Sequence, residues 1–109
     1  MNGKEFEEEV SKYLIKSKYK IVKRNFKSKV GEIDIIAKDG KTIVFVEVKG
    51  RNNNCPIENI DEKKIYKIRR VAELYLSITD SWEEDIRFDA IFIRNINNKI
   101  TIEHLEEAF

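Results

Sequence analysis

Residues Gly31–Arg51, GEIDIIAKDGKTIVFVEVKGR, contain two apolar, β-branched segments on either side of a Lys38-Asp39-Gly40 turn. Asp-Gly between segments of this kind is a strong signal for a β-hairpin. Side chains alternate between the two faces of a strand, so one face of the second strand is wholly apolar. That face carries Val44, Val46 and Val48. The stretch therefore predicts a hairpin that is buried on at least one side.

The same hairpin carries charges where a buried strand should have none. Glu47 and Lys49 lie on the second face of the second strand, and Asp34 shares a face of the first strand with Glu32 and Ile36. Ile33 and Ile35 are predicted to point the other way. A charge in a near-continuous apolar strand is costly unless it is paired or bound to a metal ion. These charges therefore mark the candidate functional site.

Length and composition restrict the class of protein. A chain of 109 residues fits one domain, residues 1–109, and 41% hydrophobic with 38% charged residues indicates a globular chain with a charged surface. The single cysteine, Cys55, excludes an internal disulfide and a zinc site built from thiolates. The acidic start, MNGKEFEEEV, does not resemble a signal peptide, and no apolar run approaches the roughly 18 residues of a membrane span. We expect a soluble, cytoplasmic protein that has no membrane partner.

Charge is unevenly distributed although the formal net charge is only +1. No acidic residue occurs between Val10 and Gly31, a stretch that holds eight lysines and arginines, among them Arg24. A second basic cluster occupies positions 63–70. Basic surfaces beside a carboxylate cluster suit a polyanionic substrate, whereas the alternative is that these side chains only solvate exposed faces.

Hydrophobic periodicity and turn residues predict the order α-β-β-β-α-β-β, which implies one mixed sheet with helices packed on it. The predicted elements are a helix over Asn2–Ser17, a strand over Lys20–Phe26, the hairpin over Val30–Lys49, a helix over Asp61–Ile78, strands over Arg87–Arg94 and Lys99–Glu103, and a short helical tail that ends at Phe109.

Three interpretations of Asp34, Glu47 and Lys49 compete. The first is a buried ion pair in which Lys49 neutralises one carboxylate. The second is a Mg²⁺ or Mn²⁺ site, because two carboxylates on neighbouring strands match the oxygen ligands that these ions prefer. The third is an acid–base site for a small metabolite, which no glycine-rich phosphate loop, Ser-His-Asp set or cofactor motif supports.

Asp34, twelve intervening residues and then Glu47-Val48-Lys49 resemble the Asp…Glu-x-Lys signature of the restriction-endonuclease-like, PD-(D/E)XK nuclease superfamily. The longer segments GEIDIIA, FVEVKGR, RFDAIFI and IEHLEEAF are similar to the small bacterial UPF0102 (YraN) family, which is related to archaeal Holliday-junction resolvases. FEEEVSKYL and YKIVKRN resemble the first helix and strand of that family, so the resemblance covers nearly the whole chain. It implies an α/β fold with a restriction-endonuclease-like αβββαβ core and a mixed central sheet flanked by helices.

The resemblance also implies roles for individual residues. Asp34 and Glu47 would bind Mg²⁺ or Mn²⁺ with the backbone carbonyl of Val48, and Lys49 would position the attacking water. Glu7 corresponds to the first-helix glutamate of the family, a choice that periodicity alone leaves open between Glu7 and Glu9. The positions implied for substrate binding are Lys64, Arg51 and Arg24.

Together these features predict a metal-dependent DNA endonuclease that is selective for branched or junction DNA, in repair or recombination. Two-fold dimers are implied by the resemblance alone. The alternative is a non-catalytic nucleic-acid-binding or protein-interaction module that keeps the nuclease fold. The only histidine, His104, is expected to have a packing or surface role rather than to bind a metal ion.

Overall fold

The computed structural model describes residues 1–109 and contains two helices and five strands. The elements are α1 (Gly3–Lys16), β1 (Lys20–Lys27), β2 (Glu32–Asp39), β3 (Thr42–Arg51), α2 (Glu62–Ile78), β4 (Ile86–Ile96) and β5 (Lys99–Leu105). The strands form one sheet in the order β1-β2-β3-β4-β5, in which only β3 and β4 run parallel. The predicted α/β class, element order and mixed sheet are confirmed.

The two helices cover opposite faces of the sheet. A parallel pair of neighbouring strands needs a crossover, which the segment 52–61 and α2 supply between β3 and β4. Phe6, Val10 and Leu14 of α1 pack with one apolar cluster of the sheet, whereas Ile68 and Val71 of α2 pack with the other. Burial on both faces explains the nearly continuous apolar runs of β2 and β3.

Both helices begin at side-chain caps. Asn2 Oδ1 accepts a hydrogen bond from the Glu5 N–H at 2.9 Å, and Glu5 Oε1 accepts one from the Asn2 N–H at 3.0 Å, so this is a complete capping box. Asp61 Oδ1 accepts a hydrogen bond from the Lys64 N–H at 2.8 Å and caps α2 through this single bond. The second cap fixes Lys64 in the first turn of α2.

The β2–β3 hairpin turns at Gly40-Lys41, so the turn starts two residues later than predicted, because Lys38 and Asp39 still belong to β2. Gly40 has φ 61°, a conformation that glycine adopts without steric cost. The paired positions run from Asp39–Thr42 to Ile35–Val46 and go no further. The two strands therefore part just before Asp34.

The prediction that Ile33 points with Ile35 is wrong. Ile35 packs in the cluster beneath α1, whereas Ile33 joins Ile36 in the cluster beneath α2. The break in alternation lies opposite Asn25 of β1, which has φ 53°, and at the end of the β2–β3 ladder. A left-handed residue and a missing neighbour both let a strand leave its regular pleat.

The predicted helical tail is also wrong. The chain after β5 forms a turn at Glu106-Glu107, and the Ala108 N–H then donates to the Phe88 carbonyl oxygen at 2.8 Å. Four residues are too few for a stable helix, because the free energy of nucleating a helix exceeds what the hydrogen bonds of a single turn contribute. The last residues instead lie against β4, where the Phe109 ring is 5.4 Å from the Phe88 ring.

The two edge strands of the sheet differ. β1 has a register shift between Ile21 and Lys23, contains the left-handed Asn25 and exposes three lysines, which are common protections of a sheet edge. β5 pairs with β4 at every position from Lys99 to Leu105 without a shift. No helix of the protein is long and apolar enough to cross a membrane.

Gly50→Ala should destabilise the fold, because a Cβ there would lie 2.3 Å from the Phe6 ring. The ring would have to leave its place in the core, which we expect to cost about 1–3 kcal/mol of unfolding free energy, measured by urea denaturation. Gly3→Ala is the matched control, since a Cβ at Gly3 meets nothing within 4 Å. Equal stability of the two variants would contradict the close packing of Phe6 on Gly50.

Candidate functional site

Asp34 lies where β2 separates from β3. Its Oδ2 accepts a hydrogen bond from the Val48 N–H at 2.8 Å, at the position where a continued ladder would have bonded a β2 carbonyl. The N–H and C=O of one strand residue point to the same side, so the Val48 carbonyl also faces β2. The side chain of Asp34 and the main chain of Val48 thus share one gap in the sheet.

Glu47 directs a nearly buried carboxylate toward this gap from β3. The residue is 5% exposed, and its Oε2 has no hydrogen-bond partner. Burial first, and then the neighbouring Glu47 carboxylate, raise the pKa of Asp34 from 3.8 to about 8. At neutral pH the raised pKa keeps a proton on the Asp34 carboxyl group.

Lys64, rather than Lys49, is the cation that meets Glu47. The Lys64 Nζ lies 3.6 Å from Glu47 Oε2, and its charge works against the rise in the pKa of Asp34. Lys49 is half-buried and forms no ion pair or hydrogen bond through its ammonium group. The proposed ion pair between Lys49 and a strand carboxylate is therefore not formed.

Glu7 enters the site from α1 and is held by Asn25. The Asn25 Nδ2 donates to Glu7 Oε1 at 2.8 Å and to Glu32 Oε1 at 2.9 Å. Burial, and to a smaller extent the charges of Asp34 and Glu32, raise the pKa of Glu7. Glu9 instead pairs with Lys12 at 3.8 Å, so the structure separates the two glutamates that periodicity leaves tied.

Asn25 is the site residue that sequence reasoning misses. Its φ of 53° is uncommon within a strand, and asparagine is one of the few residues that tolerate this conformation. An asparagine amid the basic residues of YKIVKRN, in a segment otherwise typical of a strand, is the one signal that could have identified it.

The two arginines predicted to bind substrate differ in their surroundings. The Arg24 Nη1 donates to Glu8 Oε2 at 2.6 Å, so this guanidinium already has a carboxylate partner. Arg51, at the end of β3, is half-buried and forms no ion pair within the chain. Arg51 is the more available of the two for a phosphate.

The acidic side chains do not form a complete metal cage. No group of three or more histidine, cysteine, aspartate or glutamate side chains is arranged to hold a metal ion. The donor set at the gap is two carboxylates and one carbonyl, contributed by Asp34, Glu47 and Val48. Mg²⁺ is usually held by one or two carboxylates with waters and substrate phosphates, so a set of this size and chemistry fits the ion.

A second charged cluster lies on the α1 side of β4 and is separate from this gap. Asp89 is fully buried and accepts hydrogen bonds from Arg87, from the Glu107 N–H and, at 2.7 Å, from His104 Nε2. The other ring nitrogen of His104 lies 2.9 Å from the Tyr13 hydroxyl oxygen, so His104 has the packing role that was expected. Burial acts to raise the pKa of Asp89, but the bonds from His104 and Arg87 hold it below its ordinary value.

Asp34→Asn should change how stability depends on pH in metal-free buffer. Between about pH 4 and 8 the folded state keeps a proton that unfolded Asp34 has lost, so raising the pH lowers the unfolding free energy of the wild type. In the variant, the unfolding free energy should fall less as the pH rises, as measured by urea denaturation at a series of pH values. Asp80→Asn, at an exposed turn, is the control, and parallel profiles of wild type and Asp34→Asn would refute the raised pKa.

Asn25→Gly and Asn25→Ala should both reduce stability, but by different amounts. Either change removes the amide that donates to the carboxylates of Glu7 and Glu32, which we expect to cost about 1 kcal/mol at a half-exposed site. Alanine should cost about 1 kcal/mol more, because only glycine tolerates the left-handed backbone freely. Chemical denaturation of both variants tests this, and an alanine variant as stable as the glycine variant would show that the backbone relaxes.

Comparison with known proteins places these residues in a family. The model of the family described as "Uncharacterised protein family UPF0102" matches residues 6–93. A UPF0102 protein of Persephonella marina is 45% identical over 100% of this chain and 93% of its own length, and one of Sulfurihydrogenibium sp. is 43% identical over 98% and 92%. A UPF0102 protein of Thermotoga maritima is 49% identical over 70% of this chain and 71% of its own length. The matched region contains every residue of the candidate site, and the chain belongs to the UPF0102 family.

Proposed function

We propose that this protein is a metal-dependent endonuclease that hydrolyses phosphodiester bonds of DNA. The observation that carries the proposal is the pair Asp34–Glu47, two carboxylates held together in the gap between β2 and β3 with one buried oxygen lacking a hydrogen bond. The Lys64 ammonium lies 3.6 Å from that oxygen, too far for a hydrogen bond, so their ion pair leaves it unsatisfied. An acidic pair kept short of positive charge is the arrangement expected of a cation site.

The residues that would hold the ion are Asp34, Glu47 and the carbonyl of Val48. Mg²⁺ or Mn²⁺, when bound, supplies Lewis-acid polarisation of a phosphate oxygen. A cation in the gap would also counteract the raised pKa of Asp34, because its positive charge favours the ionised carboxylate.

Lys49 would act on the attacking water. It follows Glu47 by two residues on the same face of β3 and has no partner inside the chain that would hold its ammonium elsewhere. In hydrolysis the water loses a proton as its oxygen bonds to phosphorus, the bond from phosphorus to the leaving sugar oxygen breaks, and that oxygen takes up a proton. Lys49 orients the water and offsets the negative charge that develops on the phosphate.

Lys64 would release Glu47 when substrate arrives. Its Nζ is 3.6 Å from the carboxylate, a distance beyond a short hydrogen bond, and its side chain is 48% exposed. A long ion pair at a half-exposed position is weak, so the ammonium can turn to a phosphate at little cost.

Exposed cations beside the site support DNA as the substrate. The outer face of α2 exposes Lys63, Lys67 and Arg70, and the guanidinium of Arg70 lies 5.9 Å from the ring of Tyr66, which is 61% exposed. Lysines and arginines of this kind bind the phosphate backbone without reading sequence, so selectivity would come from DNA shape, as in flaps or junctions. Branched DNA in repair or recombination, cut by a two-fold dimer, is part of the proposal.

The test is cleavage of linear, flapped and four-way DNA with Mg²⁺ or Mn²⁺. Wild type should cut at least one substrate, and Glu47→Gln and Lys49→Ala should each lower the rate by about 100-fold or more. Glu9→Gln and Lys41→Ala, both outside the site, are matched controls that should keep the wild-type rate. If wild type cuts none of the substrates but binds them, the protein is a non-catalytic DNA-binding module.

A second readout separates metal binding from catalysis. Mn²⁺ should raise the melting temperature of the wild type, because a ligand that binds only the folded state stabilises it. Asp34→Asn should lose most of this rise, whereas Asp80→Asn should keep it. An equal rise in both variants would place the ion elsewhere.

A further inference from the structure

The outer edge of β5 is open and regular. β4 and β5 are joined by Asn97-Asn98, whose φ values of 51° and 65° are those of a type I′ two-residue turn. Residues that flank such a turn form a hydrogen-bonded pair, and hydrogen-bonded and non-hydrogen-bonded pairs then alternate along the ladder. The N–H and C=O groups of Ile100, Ile102 and His104 therefore point away from β4 and are free to bond another strand.

The opposite edge of the sheet offers no equivalent surface. The register shift, the left-handed Asn25 and the exposed lysines of β1 all hinder the approach of another strand. β5 has none of these features and carries a single lysine, Lys99. Exposed apolar side chains accompany its free edge, since Ile100 is 37% exposed and Leu105 is 42% exposed.

The sequence of β5 is complementary to itself in one antiparallel register. With Thr101 opposite Thr101 of a second copy, Lys99 of each chain faces Glu103 of the other, and Ile100 faces Ile102. Lys99 and Glu103 are exposed and form no ion pair within their own chain. In this register Ile100 of one copy and Ile102 of the other form hydrogen bonds through their free N–H and C=O groups. The register that pairs the opposite charges therefore also forms the backbone hydrogen bonds.

We propose that two copies of this chain associate through β5 about a two-fold axis at Thr101, which makes one continuous ten-stranded sheet. One face of the new junction carries four isoleucine side chains, and the other carries the two reciprocal Lys99–Glu103 pairs. This surface would serve the dimer of the proposed function, but the association itself does not depend on any DNA cleavage.

Charge reversal tests the register by sedimentation or light scattering. Lys99→Glu and Glu103→Lys should each weaken dimerisation by about tenfold or more, because both reciprocal pairs become repulsive. The double variant Lys99→Glu/Glu103→Lys should dimerise again, and a mixture of the two single variants should form a heterodimer. Lys23→Glu on the β1 edge is the matched control and should leave the dimer intact.

Cysteine cross-linking gives an independent readout. In a Cys55→Ser background, Thr101→Cys should form a disulfide between copies, because non-hydrogen-bonded partners have Cα atoms about 4.5 Å apart. Ile102→Cys in the same background should not, because it faces Ile100 rather than itself. A wild type that stays monomeric at every concentration, a cross-link at 102 instead of 101, or a failure of the mixed variants to pair would overturn the proposal. Because association and cleavage are measured separately, either proposal can fail without the other.

Discussion

The hydrogen bond from the Val48 N–H to Asp34 is the interaction on which the candidate site depends. Where one strand of a buried sheet separates from its neighbour, main-chain N–H and C=O groups lose their hydrogen-bond partners. Each unsatisfied group costs about 1–3 kcal/mol. The Asp34 side chain takes the place of the missing β2 carbonyl and so allows the two strands to part. The same bond fixes the position of a carboxylate that belongs to the candidate site. Fold and site are thus joined at a single atom pair.

The remaining groups of the site follow from how the chain crosses the sheet. Because β3 and β4 are parallel, the chain must pass over one face between them, and α2 begins there with Lys64 in its first turn. α1 covers the other face and contributes Glu7, which accepts a hydrogen bond from Asn25. The site therefore receives cationic side chains from one face and an additional carboxylate from the other. Neither helix could supply both, since each lies on one side only.

The sequence predicts the parts of the site that depend on regular periodicity. Alternation along β3 correctly places Glu47 and Lys49 together opposite the valine face, and the cap at Asn2 is read from its spacing to Glu5. Ile33 is misplaced because alternation assumes an unbroken strand, and the left-handed Asn25 and the end of the ladder are tertiary features. The sequence also does not predict which lysine forms the ion pair with Glu47. Lys49 is two residues away and Lys64 is seventeen, yet only the crossover geometry decides which ammonium group reaches the carboxylate.

The irregularity of β1 has a consequence for how far assembly can proceed. A sheet with two open edges can add copies without end and grow as a fibril, because each added copy offers a new edge. Here the shift at Ile21/Lys23 and the turned backbone of Asn25 close one edge, so pairing through β5 uses up the only regular one. Under the proposed pairing, the assembly would be complete at two chains. In that assembly Asn25, which binds two glutamates at the site, would also help to keep the protein from polymerising.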